Sequence, residues 1–119
     1  MSRPFGVYVH IPFCAKRCDY CAFATWTDRH HLQQSYLDAI RRDIERSVDR
    51  PATTVFVGGG TPTLVDPDEL ARMIAAVPVV AGAEVTVECN PDDVTEDLLR
   101  AYRRGGVNRV SIGVRSEER

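Results

Sequence analysis

The sequence predicts an α/β fold built on a parallel sheet. Two observations carry this reading. Short apolar strands alternate with amphipathic helical stretches, and the unusual motifs all fall just after a strand. The order is β-α-β-α-β-α-β, which implies right-handed helical crossovers between parallel neighbours, with helices over at least one face of the sheet.

Phe5 to Ile11 (FGVYVHI) is the first expected strand, apolar and closed by a proline. From about Asp28 to Asp49, Leu32, Tyr36, Leu37, Ile40, Ile44 and Val48 recur at helical spacing, so a long amphipathic helix follows. Thr53 to Val57 (TTVFV) is the second strand. A helix near Asp66 to Val77 begins DPDEL, with Asp66 placed to cap it and Pro67 in the first turn. Ala83 to Glu88 (AEVTVE) reads as the third strand. Thr95 to about Arg104 begins TEDLL and closes on Gly105 and Gly106, and Val107 to Val114 (VNRVSIGV) reads as the fourth strand.

The 119 residues suffice for one modest core, so a single domain over 1–119 is expected, with no repeat, low-complexity stretch or linker. No apolar run approaches the length of a membrane span. A net charge of -2 gives no basic field for nucleic acid. Lys16 is the only lysine, and the arginines alternate with acids in stretches such as AIRRDIERSVDR, as on solvated helix faces. The opening MSRPFGVYVHIPF lacks the basic and long apolar regions of a secretory signal, so reduced thiols and a cytoplasmic location are expected.

Cys14, Cys18 and Cys21 form a C-x3-C-x2-C cluster after the first strand. Three thiolates so close can hold three corners of a cubic iron-sulfur cluster and leave the fourth iron open, the arrangement that separates reactive from structural metal sites. A zinc site is the alternative. It needs four ligands, and neither His10 nor Cys89 lies at a usual zinc spacing from the three.

Gly58, Gly59 and Gly60, in GGGTPT, follow the second strand and let backbone approach a ligand closely and present N–H groups to an anion. The same run also suits an ordinary strand-to-helix turn, and it matches neither a P-loop nor a dinucleotide fingerprint. Glu88 closes the third strand, where a carboxylate can accept hydrogen bonds from an amine or ribose; a solvent-facing strand end is the plain alternative. Tyr8 has an even offset from Cys14 and so shares its face if the strand continues, although core tyrosines are common. His10 reads as a hydrogen-bonded strand-end residue and Cys89 as a small buried hydrophobe. In a parallel α/β sheet, ligands gather beyond the C-terminal strand ends, where these motifs converge.

YVHIPFCAKRCDYC, VFVGGGTPTLV, VTVECNPDD and RVSIGV together resemble the amino-terminal half of the catalytic domain of radical S-adenosylmethionine proteins, in the branch containing HemW and HemN, relatives of oxygen-independent coproporphyrinogen III dehydrogenase. The resemblance runs from about Phe5 to Val114. It implies the first βα units of a partial (β/α)6 TIM-like barrel, ending after about strand four, with the rest of the barrel and the C-terminal domain absent. It further implies that Cys14, Cys18 and Cys21 ligate a [4Fe-4S] cluster whose open iron binds S-adenosylmethionine. Electron transfer would break the sulfonium C–S bond and give a 5'-deoxyadenosyl radical, the protein supplying position and exclusion of water.

By the same resemblance, Gly58, Gly59, Gly60 and Thr61 hold the methionine end of the cofactor, Glu88 its polar groups, and Tyr8 lies against cluster and cofactor. The coproporphyrinogen enzymes carry a further cysteine two residues past the third ligand. Here that place is Phe23, which is similar to the HemW group of haem chaperones, implying haem and acceptor haemoproteins as partners. The family usually reads SIGVQSF after strand four; this chain reads SIGVRSEER, and Arg115 replaces an amide by a fixed cation.

Overall fold

A computed structural model describes residues 4–12 and 26–112, with the side chains of the second segment from residue 32. Among the described residues four strands, β1 (Gly6–Ile11), β2 (Ala52–Gly59), β3 (Val79–Cys89) and β4 (Arg109–Ile112), form one sheet in the order β1-β2-β3-β4. Every neighbouring pair is parallel. Three helices, α1 (Trp26–Ser47), α2 (Pro67–Ala75) and α3 (Glu96–Arg104), make the crossovers, so the alternation read from the sequence is the observed one.

Side-chain alternation along the strands explains which face the helices cover. Val9 and Ile11, Val55 and Val57, and Val85, Val87 and Cys89 point to one side, where they are buried with Leu37 and Ile44 of α1, Leu70, Met73 and Ile74 of α2, and Leu98 and Tyr102 of α3. Each of these aliphatic side chains contributes about 1.5–3 kcal/mol by leaving water. The other face carries Tyr8, His10, Phe56, Gly58, Thr86 and Glu88. Tyr8 is 58% exposed and Phe56 37%, whereas Gly58 and Thr86 are buried, so among the described residues this face is only partly open.

The Asp66 cap follows the sequence reading, and Thr95 caps the helix it was expected to begin. Asp66 accepts a hydrogen bond from the Glu69 amide at 3.1 Å, with Pro67 in the first turn of α2. Thr95 accepts one from the Leu98 amide at 3.1 Å to start α3, and Gly105 closes that helix.

Among the strands, three described boundaries differ from the expected ones by more than one residue. β2 extends through the first two glycines to Gly59, because Gly58 and Gly59 pair with His10 and Ile11 of β1. β3 begins at Val79 rather than Ala83. Val79 pairs with Ala52, and an irregularity in register between Ala52 and Thr54 accommodates the extra residues of β3. β4 begins at Arg109 rather than Val107, because the Asn108 side chain takes the place of a strand residue. Its Oδ1 accepts from the Val85 amide at 2.9 Å and its Nδ2 donates to the Ala83 carbonyl at 2.8 Å. The expected end of this strand at Val114 lies outside the described residues.

Candidate functional site

The site is built at the C-terminal ends of β1, β2 and β3, on the face that the helices leave open. In register, Tyr8 stands beside Phe56, Phe56 beside Thr86, and His10 beside Gly58; Glu88 stands beside Ser111. Parallel pairing thus brings residues far apart in sequence into two adjacent rows.

The glycines are cut to fit this face. A Cβ on Gly58 would lie 2.7 Å from Phe56 Cε1 and 2.9 Å from Glu88 Oε1. Gly59 has φ +111°, a conformation that side chains rarely adopt, and its Cβ would lie 2.7 Å from His10 Nδ1. The Gly59 amide donates to Glu88 Oε1 at 3.3 Å, and the Gly60 amide donates to the Ile11 carbonyl at 2.7 Å. Glu88 is half-buried and keeps lone pairs for a further donor.

Tyr8 stacks on Phe56, with ring centroids 6.1 Å apart and planes 13° apart, and its hydroxyl lies 3.2 Å from His10 Nδ1. From the helix side, the Tyr36 hydroxyl donates to the His10 carbonyl at 2.6 Å. Burial raises the Tyr36 phenol above its ordinary pKa, and the neighbouring Tyr8 adds to the shift.

Thr61 is buried and leads into a short 3-10 turn, Pro62–Leu64. Thr63 donates to Asp93 Oδ2 at 2.8 Å, tying the segment after β2 to a second 3-10 turn, Pro91–Asp93, after β3. Asn90 fixes that second turn by accepting from the Asp92 amide at 3.3 Å.

Cys89 faces the helices, not the site, and is 3% exposed, as expected of a small buried hydrophobe. Burial first, then the nearby Asp93 and Glu88 carboxylates, push its thiol up to about 11. The Tyr102 hydroxyl, buried nearby with no hydrogen-bond partner among the described residues, has its pKa raised mainly by burial.

The structure therefore brings Tyr8, Gly58, Gly59 and Glu88 onto one surface, with Gly60 and Thr61 leading away from it. Cys14, Cys18 and Cys21 lie outside the described residues, as do Phe23 and Arg115; among the described residues no group of three potential metal ligands occurs. β1 ends at Ile11, in register with Gly59 of the glycine rim. Sequence reasoning did not find the Tyr8–His10 hydrogen bond or the Thr63–Asp93 tie. The i, i+2 spacing of Tyr8 and His10 on one strand was the available signal for the first, whereas the second needs the register of two loops.

A glycine-lined rim, a carboxylate and an aromatic ring thus meet on one side of a parallel α/β sheet. The model of the Radical SAM superfamily matches residues 8–117, and the chain belongs to that family. It is 36% identical to the heme chaperone HemW of Escherichia coli strain K12, over 95% of this chain and 32% of that protein. With the heme chaperone HemW of Mycobacterium tuberculosis strain H37Rv it shares 38% identity, over 97% of this chain and 32% of that protein. The solved structure of coproporphyrinogen III oxidase (HemN) from Escherichia coli, a radical SAM enzyme, superposes with a TM-score of 0.75 at 33% identity, covering 94% of this chain and 28% of that one. The chain thus spans about a third of the length of the curated relatives it matches. It corresponds to the amino-terminal portion of the HemW/HemN family. Among the described residues, no helix is long and apolar enough to cross a membrane.

Proposed function

We propose that this chain is the cluster- and cofactor-binding portion of a haem-handling protein of the HemW type. Cys14, Cys18 and Cys21 hold a [4Fe-4S] cluster just past β1, and S-adenosylmethionine lies across the ends of β1, β2 and β3. The supporting observation is the Gly58–Gly59–Glu88 arrangement, in which Phe56, Glu88 and His10 pack so closely over the two glycines that neither could carry a side chain, and the half-buried carboxylate sits among the strand ends.

In this reading the glycine rim and Thr61 take the methionine end. Glu88 accepts from an amine or from ribose hydroxyls, while the Gly59 and Gly60 amides, already donating to Glu88 and to the Ile11 carbonyl, hold the rim in shape. Tyr8, backed by Phe56, gives the cluster and cofactor a flat apolar wall that excludes water. When bound, the cluster and S-adenosylmethionine together supply one-electron cleavage of the sulfonium C–S bond. The protein's part is to orient that bond and to hold donors and acceptors in place beforehand.

Two relatives named as heme chaperones and the Phe23 position favour haem transfer to acceptor haemoproteins, with the protein working in the cytoplasm. The similarity to HemN supports a second reading, oxygen-independent coproporphyrinogen III dehydrogenation. Whether the chain is an enzyme turns on which of the two holds. In either case residues 1–119 form part of one radical S-adenosylmethionine domain.

Anaerobic reconstitution with iron and sulfide, followed by EPR of the reduced protein with and without S-adenosylmethionine, tests the common core. A [4Fe-4S] signal perturbed by the cofactor is expected. A folded chain that retains zinc, or forms a disulfide, and ignores S-adenosylmethionine would overturn the reading. Haem titration and a coproporphyrinogen assay on the same sample then separate the two functions.

A further inference from the structure

His10 stands between two of the groups proposed to meet the cofactor, Tyr8 and Gly59. Its Nδ1 is 3.2 Å from the Tyr8 hydroxyl, and its ring lies so close over Gly59 that a Cβ there would come within 2.7 Å of Nδ1 and 2.8 Å of Cε1. Its backbone is anchored on both sides: the carbonyl accepts from the Tyr36 hydroxyl at 2.6 Å, and the residue is in register with Gly58 of β2. By contrast the Tyr8 ring is 58% exposed and contacts Phe56 with its face, so neither burial nor stacking fixes where its hydroxyl points.

We propose that His10 is a positioning residue that presets the cofactor surface through Tyr8. A neutral imidazole protonated at Nε2 offers Nδ1 as acceptor to the phenol O–H, which fixes the azimuth and tilt of a ring that Phe56 supports from behind. The imidazole also fills the space over Gly59, whose amide donates to Glu88. A ring held before the ligand arrives does not lose its rotamer freedom on binding. The inference rests on the reading of Tyr8 as a cofactor contact.

A double-mutant cycle on the reconstituted full chain tests it, with Tyr8→Phe, His10→Ala and the pair, read as Kd for S-adenosylmethionine and as iron bound per chain. Each single change is expected to weaken binding about threefold to tenfold, the scale of one ordered side chain or neutral hydrogen bond. If His10 acts through Tyr8, adding His10→Ala to Tyr8→Phe costs little more, and iron content is unchanged throughout. His10→Asn, whose amide oxygen can occupy the place of Nδ1, should restore most of the affinity.

Losses that multiply in the double variant, an unchanged Kd in His10→Ala, or iron lost on His10→Ala would each overturn the proposal. The hydrogen bond has a readout of its own: in the iron-free chain the His10 Nδ1 ¹⁵N shift should move in Tyr8→Phe, and a static shift is evidence against the contact. A wild-type chain that binds iron but not S-adenosylmethionine overturns the functional reading and this inference together, whereas independent losses in a chain that binds it overturn this inference alone.

Discussion

The Gly59 amide donates to Glu88 Oε1 at 3.3 Å, a contact that joins the ends of β2 and β3 on the open face of the sheet. The same carboxylate oxygen lies 2.9 Å from where a Gly58 Cβ would be, so backbone and carboxylate share a space that a side chain would fill. Glu88 shapes the glycine rim, and in the function proposed above its remaining lone pairs take the ligand. Glu88→Ala is therefore expected to weaken S-adenosylmethionine binding about 10- to 100-fold, the worth of a hydrogen bond to a charged group. Glu88→Gln, which keeps an acceptor but loses the charge, should fall between wild type and Glu88→Ala. Calorimetric titration of the reconstituted proteins checks the order, and a Glu88→Gln chain weaker than Glu88→Ala would contradict it.

Gly59→Ala places a methyl group at φ +111° and against the His10 ring and the Ile11 carbonyl. The strained torsion alone costs about 1–3 kcal/mol, and His10 has to move as well. Urea denaturation should show a lower midpoint with an unchanged slope. Cofactor affinity should also fall, because the amide facing Glu88 is displaced.

The order of elements was legible because each strand and helix carries its own period and punctuation. Asp66 with Pro67 states its helix start locally and caps as read, whereas Thr95, read as the first helical residue, is the cap of α3. Less legible were boundaries set by partners in space. Gly58 and Gly59 have low strand propensity, yet pairing with His10 and Ile11 holds them in β2. Asn108 looks like a strand residue, but its side chain bridges Ala83 and Val85 and delays β4. Of the candidate site, motif position at strand ends placed Tyr8, the glycines and Glu88 near one rim. The contacts among Tyr8, His10 and Gly59 depend on lateral register, which no local pattern encodes.

Thr63 and Asp93 couple the two loops behind the rim. Thr63 is buried and its hydroxyl is 2.8 Å from a half-buried carboxylate, so Thr63→Val leaves an acceptor without its donor. A loss of about 1–3 kcal/mol of folding stability is expected. Thr63→Ser keeps the hydroxyl and should lose less than half of that. Amide hydrogen exchange should show faster opening at Val65 and Val94, whose N–H groups close the two 3-10 turns on Pro62 and Pro91. Equal stability of the serine and valine variants would exclude the hydrogen bond as the cause.

Strand alternation sends neighbours Glu88 and Cys89 to opposite faces, the first toward the open rim and the second into the helix-covered core. Cys89→Ser is accordingly expected to leave iron per chain unchanged after reconstitution. A serine at Cys14, Cys18 or Cys21 should abolish the [4Fe-4S] signal. Comparable loss in all four variants would mean that Cys89 serves the cluster and that the ligand set is wrong.

The buried Cys89 thiol also sets a pH dependence whose sign follows from linkage. Its pKa is raised from an ordinary 9.0 to about 11, chiefly by burial and secondarily by Asp93 and Glu88, so the folded chain holds this proton more tightly than the unfolded one. Its contribution to stability is then fully present below pH 9 and is lost as pH rises toward 11. Tyr102, raised in the same direction by burial and then by Cys89 and Asp93, extends the loss to still higher pH. Urea midpoints of the wild type and of Cys89→Ala, compared at pH 8, 9, 10 and 11, separate the two groups. The wild type should lose stability faster than the variant between pH 9 and 11, and parallel curves over that range would show that the thiol does not titrate as its burial requires.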